Sequence, residues 1–237
     1  MIGHDKTKRI KMADSSIDKT GQVVSKERVS DHGEVFTSPR EVNAMLDLVK
    51  QETERIDSRF LEPACGHGNF LAEILRRKLA VVEAKYGKNQ TDFERYATLA
   101  ISSIYGIDIL EDNVRDCRKR LFDIFDDLYS RLFKESCKAE CRKATEYILS
   151  KNIIWGDALS LIRVDDTKEP IVFSEWSLVN GGMIKRRDFT FRGLLQHEGM
   201  KELPMFSDLG EDVFIPEPVK EYPLTHVLRL ADEYATD

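Results

Sequence analysis

Residues 60–71 read Phe-Leu-Glu-Pro-Ala-Cys-Gly-His-Gly-Asn-Phe-Leu, and their types and spacing define a place where a ligand can approach the main chain. A short apolar run, Phe60 and Leu61, meets an acid, Glu62, and then two glycines at i and i+2, Gly66 and Gly68. Glycine at those places permits a sharp turn and leaves the space beside the backbone open. Glu62 falls at the carboxyl end of the apolar run, the end at which open α/β sheets take their ligands. An acid there suits a ligand bearing an ammonium group or hydroxyls better than one bearing phosphates. No Gly-Lys-Ser/Thr follows, which excludes a P-loop, and Gly-x-Gly-x-Phe departs from the three-glycine dinucleotide fingerprint.

Two more acids recur in the same kind of setting. Ile104-Tyr-Gly-Ile-Asp108-Ile109 ends an apolar run in Asp108, and an acid ending a second strand can accept hydrogen bonds from ribose hydroxyls. Ile153-Ile-Trp-Gly-Asp157-Ala158 repeats the pattern. Upstream, Gly33-Glu-Val-Phe36-Thr37-Ser38-Pro39 precedes a helical stretch. Ser38 suits an N-cap and Pro39 a first helical position. A hydroxyl and free amides at a helix N-terminus can hold a carboxylate.

The segment around Glu62 to Phe70 resembles motif I of S-adenosylmethionine-dependent methyltransferases, in the form found in N6-adenine DNA methyltransferases of restriction–modification systems. The stretch around Thr37 is similar to their motif X, that around Asp108 to motif II and that around Asp157 to motif III. Together the four cover about residues 33–160. The resemblance implies S-adenosyl-L-methionine as cofactor. It implies contacts from Phe36 and Thr37, from Glu62, Pro63, Ala64, Cys65, Gly66, Gly68 and Phe70, from Asp108 and Ile109, and from Asp157 and Ala158. Asp108 would take both ribose hydroxyls, Ile109 would face the adenine, and Asp157 would accept its exocyclic amine. In one respect the spacing departs from the pattern: the acid of motif II normally follows the glycines by about twenty residues, and here the gap is about twice that.

The elements that must position these groups are legible as an alternation of strands and helices, so the expected fold class is α/β: a Rossmann-like methyltransferase fold, a parallel sheet with helices on both faces, incomplete, with a C-terminal β-hairpin extension. A helix opens at Pro39, with Val42, Met45, Leu46 and Val49 on one face. Strand one falls at about 59–62 and its helix at about 69–85, an additional helix at 91–102 accounts for the long gap before Asp108, and a second strand is SIYGIDI. Glu111 to about Ser150 reads as two helices broken near Lys134–Ser136, and residues 152–155 as a third strand. Residues 171–178 and 183–191 flank Val-Asn-Gly-Gly, a hairpin signal, and a terminal helix falls near 224–234. The domain expectation is a polar arm over 1–30, a cofactor-binding domain over 31–170 and a hairpin and Pro-rich extension over 171–237.

Adenine methyltransferases carry a further Asn/Asp-Pro-Pro-Tyr/Phe motif, whose acceptors orient the amine of a flipped-out base while the aromatic stacks on it. No Pro-Pro pair occurs in this chain. Where that motif is due the sequence reads Pro170-Ile-Val-Phe173-Ser174-Glu175-Trp176. Phe173 and Trp176 offer rings and Glu175 an acceptor; the alternative is a hairpin strand with Trp176 packed in a sheet. The catalytic residues are therefore unassigned. DNA is the expected partner, with a separate recognition or catalytic subunit as another. Two further readings stand beside an adenine-N6 DNA methyltransferase, truncated or split: a cofactor-binding subunit without turnover, and a methyltransferase of another substrate.

The formal net charge of −6 gives no global field for nucleic acid, so contacts with DNA must be local. Lys6, Lys8, Arg9 and Lys11 in the arm offer one such patch, and Lys185, Arg186 and Arg187 on the return strand of the hairpin offer another or else protect an exposed sheet edge. No apolar run is long enough for a membrane span. Cys65, Cys117, Cys137 and Cys141 suggest no disulfide framework; Cys137 and Cys141, at i and i+4 on a presumed helix, lack a second ligand pair, so no metal site is expected. The cytoplasm is the expected compartment.

Overall fold

The computed structural model describes residues 37–201 and 216–233. The chain divides into two compact units, Met1–Ser38 and Pro39–Asp237. Both the strand–helix alternation and the hairpin belong to the second unit. The basic arm lies outside the described residues.

The second unit is α/β, with two small sheets. Helices α1 (Pro39–Asp47) and α2 (Lys50–Thr53) lead into β1 (Phe60–Glu62), α3 (Asn69–Tyr86), α4 (Gln90–Ser102) and β2 (Ile104–Asp108). There follow α5 (Glu111–Phe133), a 3-10 turn at Lys134–Ser136, α6 (Ala139–Asn152), β3 (Ile153–Asp157) and the two-residue β4 (Ile162–Arg163). β1, β2 and β3 are parallel in that order, and β4 runs antiparallel to β3. Local chemistry sets the boundaries. The side chain of Asn89 accepts the amide of Asp92 at 3.2 Å and caps α4. Glu111 and Asp112 sit in the first turn of α5, where the helix dipole favours acids. Lys134 adopts φ 49°, which ends α5.

Strands that step β1-β2-β3 in one direction, joined by right-handed crossovers, keep their connecting helices on one face. One core cluster accordingly gathers Leu71, Leu75 and Leu79 of α3, Phe93 of α4, Leu121 and Phe125 of α5 and Ile148 of α6 with Ile104 and Ile153 of the sheet. The alternate residues Tyr105, Ile107 and Ile154 face the other way, into a smaller cluster with Ile171, Phe173 and Phe191. Among the described residues, Phe173 of the hairpin β5 (Val172–Leu178) and β6 (Met183–Thr190) and Phe191 and Leu194 of α7 (Phe191–Lys201) cover that second face, while Trp176 and Ile184 of the hairpin join the larger core. β6 also pairs with β7 (Lys220–Glu221) and β8 (Thr225–His226), which the short α8 (Leu230–Glu233) follows.

Several expectations are corrected. Met45 and Val49 are 55% and 45% exposed: α1 stops at Asp47, Val49 falls in the turn before α2, and only Val42 and Leu46 of α1 reach the core. Cys137 precedes α6 in extended conformation and does not share a helix with the buried Cys141. The terminal helix is shorter than expected, since Thr225 and His226 pair with β6. Lys185, Arg186 and Arg187 form no cationic ribbon: β6 is an interior strand with neighbours on both sides, Lys185 pairs with Glu221 at 2.8 Å, and Arg187 pairs with Glu175. Arg186 is buried against Asp188, and its guanidinium lies 4.0 Å from the centre of the Tyr222 ring.

Lys78 is wholly buried under the start of β1. Its ammonium donates to the carbonyls of Ser58 and Ile56 and to the Ser103 hydroxyl, tying the loop before β1 to the turn before β2. Burial lowers its pKa to about 7, against the pull of Asp57. The unfolded chain then holds a proton that the folded chain lacks between about pH 7 and the ordinary lysine value of 10.5, so folding stability rises as pH climbs through that window. Urea unfolding of the wild type and of Lys78→Met at several pH values checks this: the wild type gains stability relative to the variant from pH 7 upward, and parallel curves would show that Lys78 keeps its charge.

Candidate functional site

The carboxyl ends of the three parallel strands carry three loops. The first runs from Pro63 to Gly68, the second spans Ile109 and Leu110, and the third follows Asp157. The strand register places Glu62 level with Gly106, and Asp108 level with Trp155, so Glu62, Asp108 and Asp157 step outward along one end of the sheet. Two hydrogen bonds tie the first loop to β2: Cys65 N–H to the Ile107 carbonyl at 2.9 Å, and Gly66 N–H to Asp108 Oδ2 at 2.8 Å.

The two glycines do different work. Gly66 has φ +50°, and nothing lies within 4 Å of the place a Cβ would occupy. It is the point at which a ligand can meet bare backbone. Gly68 has φ +78° and stands immediately before α3, but a Cβ there would lie 2.6 Å from Cys117 Sγ of α5. The room at Gly68 is therefore already taken by helix packing, contrary to the expectation that both glycines clear space for a ligand. Two other glycines of the motifs are packing devices as well. A Cβ on Gly106 would touch Leu71 and Cys65, and one on Gly156 would meet Ile171 at 2.7 Å.

The acids differ in what they have left to offer. The Asp108 carboxylate accepts from Gly66 N–H on Oδ2, and from Leu110 N–H at 2.9 Å and Asn113 Nδ2 at 3.1 Å on Oδ1. A carboxylate has about four acceptor positions, which leaves one, on Oδ2, for a ligand. The resemblance implies both ribose hydroxyls, and Asp108 has a place for one. Asp157 accepts the Leu159 amide at 2.9 Å, and its hydrogen bonds to Ser160 and Leu159 hold its pKa below the usual value. Glu62 is the least engaged: among the described residues its one hydrogen bond, from Ala64 N–H, is long at 3.4 Å, and burial raises its pKa. It is thus the acid with most unspent capacity for a cationic or hydroxyl-bearing ligand.

The other expected residues are placed as follows. Ile109 is 50% exposed, and its carbonyl accepts the Trp155 indole N–H at 3.0 Å. Pro63 and Ala64 are exposed on the loop. Phe70 packs against the main core and Ala158 against the smaller one. Cys65 is buried; its hydrogen bond with Cys117 and then its burial push the thiol strongly upward, so it stays protonated and acts in packing. Thr37 belongs to the unit Met1–Ser38 and is described apart from these loops, and Phe36 lies outside the described residues.

Three residues that the sequence did not single out complete the frame. Asn113 is almost wholly buried and fixes Asp108; its only sequence signal is a lone amide in the charged first turns of α5. Cys117 fills the notch of Gly68. Arg120 bonds the His67 carbonyl at 3.3 Å and Asn69 Oδ1 at 2.6 Å, clamping the loop to α5. Among the described residues no cluster of three or more His, Cys, Asp or Glu is placed to hold a metal ion, and no helix is long and apolar enough to cross a membrane.

The segment Phe173–Trp176 is a strand, not a base-binding loop. Phe173 and Trp176 are each 5% exposed, and the Trp176 indole donates to Asn152 Oδ1 at 2.9 Å. Glu175 is held between Arg59 and Arg187. No family model matches the chain, and neither does any curated protein or solved structure.

The contrast between the glycines is measurable. Gly66→Ala meets only backbone strain, about 1–2 kcal/mol. Gly68→Ala meets that strain and a collision with Cys117, together about 2–5 kcal/mol. Denaturant unfolding is expected to show the larger loss for Gly68→Ala, and Cys117→Ala in the Gly68→Ala background is expected to recover part of it, a coupling that Gly66→Ala will not share. Equal losses at the two glycines, with no coupling to Cys117, would contradict the packing role.

Proposed function

We propose that the chain is the cofactor-holding part of an S-adenosylmethionine-dependent methyltransferase of the DNA adenine-N6 type, Rossmann-like in its parallel half. The observation that carries this reading is the open backbone at Gly66 set among Glu62, Asp108 and Asp157 at the ends of adjacent parallel strands. Three acids disfavour a phosphate-bearing nucleotide and favour a ligand with an ammonium group and hydroxyls. The exposed face of Ile109 suits a planar base.

The residues present fit such a cofactor. Glu62 would accept from its hydrogen-bond donors, Asp108 from one hydroxyl, and Gly66 would give the backbone room. When bound, the cofactor supplies an electrophilic methyl group on a sulfonium. The chain's own part is to bind and orient it. Asp108 does this with a loop already fixed by Gly66, Leu110 and Asn113, so little ordering is left for binding to achieve.

One observation favours a second reading, a cofactor-binding subunit without turnover of its own. Among the described residues, nothing near the strand ends has the character of an amine-orienting loop, since Phe173 and Trp176 are core residues and Glu175 is spent on two arginines. The two readings share the cofactor site and differ only in where the catalytic group comes from. Methylation of a substrate other than DNA would use the same site.

Calorimetry with S-adenosylhomocysteine is expected to give binding in the micromolar to millimolar range, with ATP and NAD not binding at the same concentrations. Glu62→Gln is expected to weaken it by about 1.5–3 kcal/mol, the worth of a charge-assisted hydrogen bond. Binding needs the ionised carboxylate, so affinity falls as pH drops through the Glu62 pKa, and it does so at a higher pH than for an ordinary glutamate. An affinity independent of pH in the wild type, or shared equally with ATP, would remove the support for this site.

For catalysis the expected outcome is cofactor binding with negligible methyl transfer to duplex DNA by the purified chain alone, because loss of a positioned acceptor costs orders of magnitude in rate. Labelled-methyl transfer, assayed with and without DNA, reads this directly. Rapid transfer would place a catalytic group within this chain.

A further inference from the structure

β1 is an edge strand. Among the described residues its one partner is β2. Phe60 donates its amide to the Ser103 carbonyl beside β2, and in a parallel ladder successive residues alternate the direction of their backbone groups. The N–H and C=O of Leu61 therefore point outward, away from the sheet, and the Leu61 side chain is 41% exposed.

Next to this edge lies a cavity of about 480 Å³. Leu61 and its register partner Tyr105 form its floor, and Phe173, Phe189, Phe191 and Leu194 line its walls. On the rim, Arg59 and Arg187 both bond Glu175, two guanidinium groups against one carboxylate. Arg59 is 59% exposed. An unpaired backbone edge, an apolar hollow on one side of it and a surplus positive charge at its lip are the parts needed to receive an extended chain. Main-chain hydrogen bonds supply affinity there, and pockets for alternate side chains supply selectivity.

We propose that the β1 edge and the adjoining cavity are a docking site for an extended segment of a second polypeptide, with apolar side chains at alternate positions and an acidic residue placed to meet Arg59. The added strand pairs with Leu61, its apolar side chains fill the hollow over Tyr105 and Phe173, and its carboxylate completes the charge of the Arg59–Glu175–Arg187 group. This site is separate from the loops at the strand ends and does not depend on which cofactor they hold.

The test uses fluorescein-labelled, end-blocked peptides of alternating valine and threonine with one central aspartate or, as a control, one central lysine, titrated with the full chain by fluorescence anisotropy. The aspartate peptide is expected to bind at least tenfold more tightly than the lysine peptide. Leu61→Pro is expected to abolish binding while leaving the fold intact, because proline is tolerated where a strand's N–H faces outward. Arg59→Glu is expected to abolish or reverse the preference for aspartate. Hydrogen exchange at the Leu61 amide is expected to be fast in the chain alone and slow with the aspartate peptide.

Four results would overturn the proposal: no binding of either peptide, binding that Leu61→Pro leaves unchanged, a Leu61 amide already protected in the chain alone, or a dimer in sedimentation that Leu61→Pro dissolves. The third would mean that the chain pairs its own edge, and the fourth that a second copy does. Binding of S-adenosylhomocysteine, measured on the same samples, separates failure of this proposal from failure of the cofactor reading.

Discussion

The single direction in which the parallel strands advance governs everything else in the second unit. Right-handed connections that always step the same way stack their helices on one face. That face receives the large core of α3 to α6. The opposite face, left to Tyr105, Ile107 and Ile154, must be covered by something else, and the chain uses a hairpin and one short helix. The same constraint leaves β1 at the border of the sheet. In doubly wound folds the ligand crevice opens where the strand order turns back, beside the first strand. Among the described residues the strand order does not turn back; it runs β1-β2-β3-β4.

Within that frame the site is held by polar groups rather than by apolar burial. Asp108 gathers the amides of Gly66 and Leu110 and the side chain of Asn113, so three segments distant in sequence share one carboxylate. Asn152 plays the equivalent part at the other end of the sheet. Wholly buried, it donates to the carbonyls of Ser102 and Ile104 and accepts from Trp176. Such groups are costly to leave unpaired in a low-dielectric interior, so each fixes its surroundings in one arrangement. The glycines at 68, 106 and 156 serve the same end by letting backbone and side chains approach closely.

Much of this was legible in the sequence. The helices at 69–86 and 90–102, the break at Lys134–Ser136 and the strands of the hairpin follow from apolar periodicity and turn residues, which act locally. What escaped depends on neighbours. Exposure of Val49 follows from the early end of α1 at Asp47, which periodicity cannot register. β4 is two residues long and is created by Leu161 at φ 63° and by the pairing of Ile162 with Asp157. The basic run of β6 reads as a charged surface until β7 and β8 are seen to flank it. At the site, the acids and Gly66 were legible from type and spacing. That Asp108 is largely consumed by its own scaffold, and that Gly68 answers to Cys117, were not, since both facts reside in contacts between α5 and the first loop.

The burial of Arg186 has a consequence for the order in which the protein is made. Its guanidinium is enclosed by Tyr222, by Tyr147 and by its partner Asp188, and Tyr222 also bonds Asp188 at 3.0 Å. Tyr222 leaves the ribosome 34 residues after Asp188. Until it arrives, the return strand of the hairpin carries a charge pair with one side open to water. Enclosure of that charge pair is therefore completed only after Tyr222 has been made. The helical layer is also finished late, since its core takes in Trp176, Ile184, Tyr222, Val227 and Leu230.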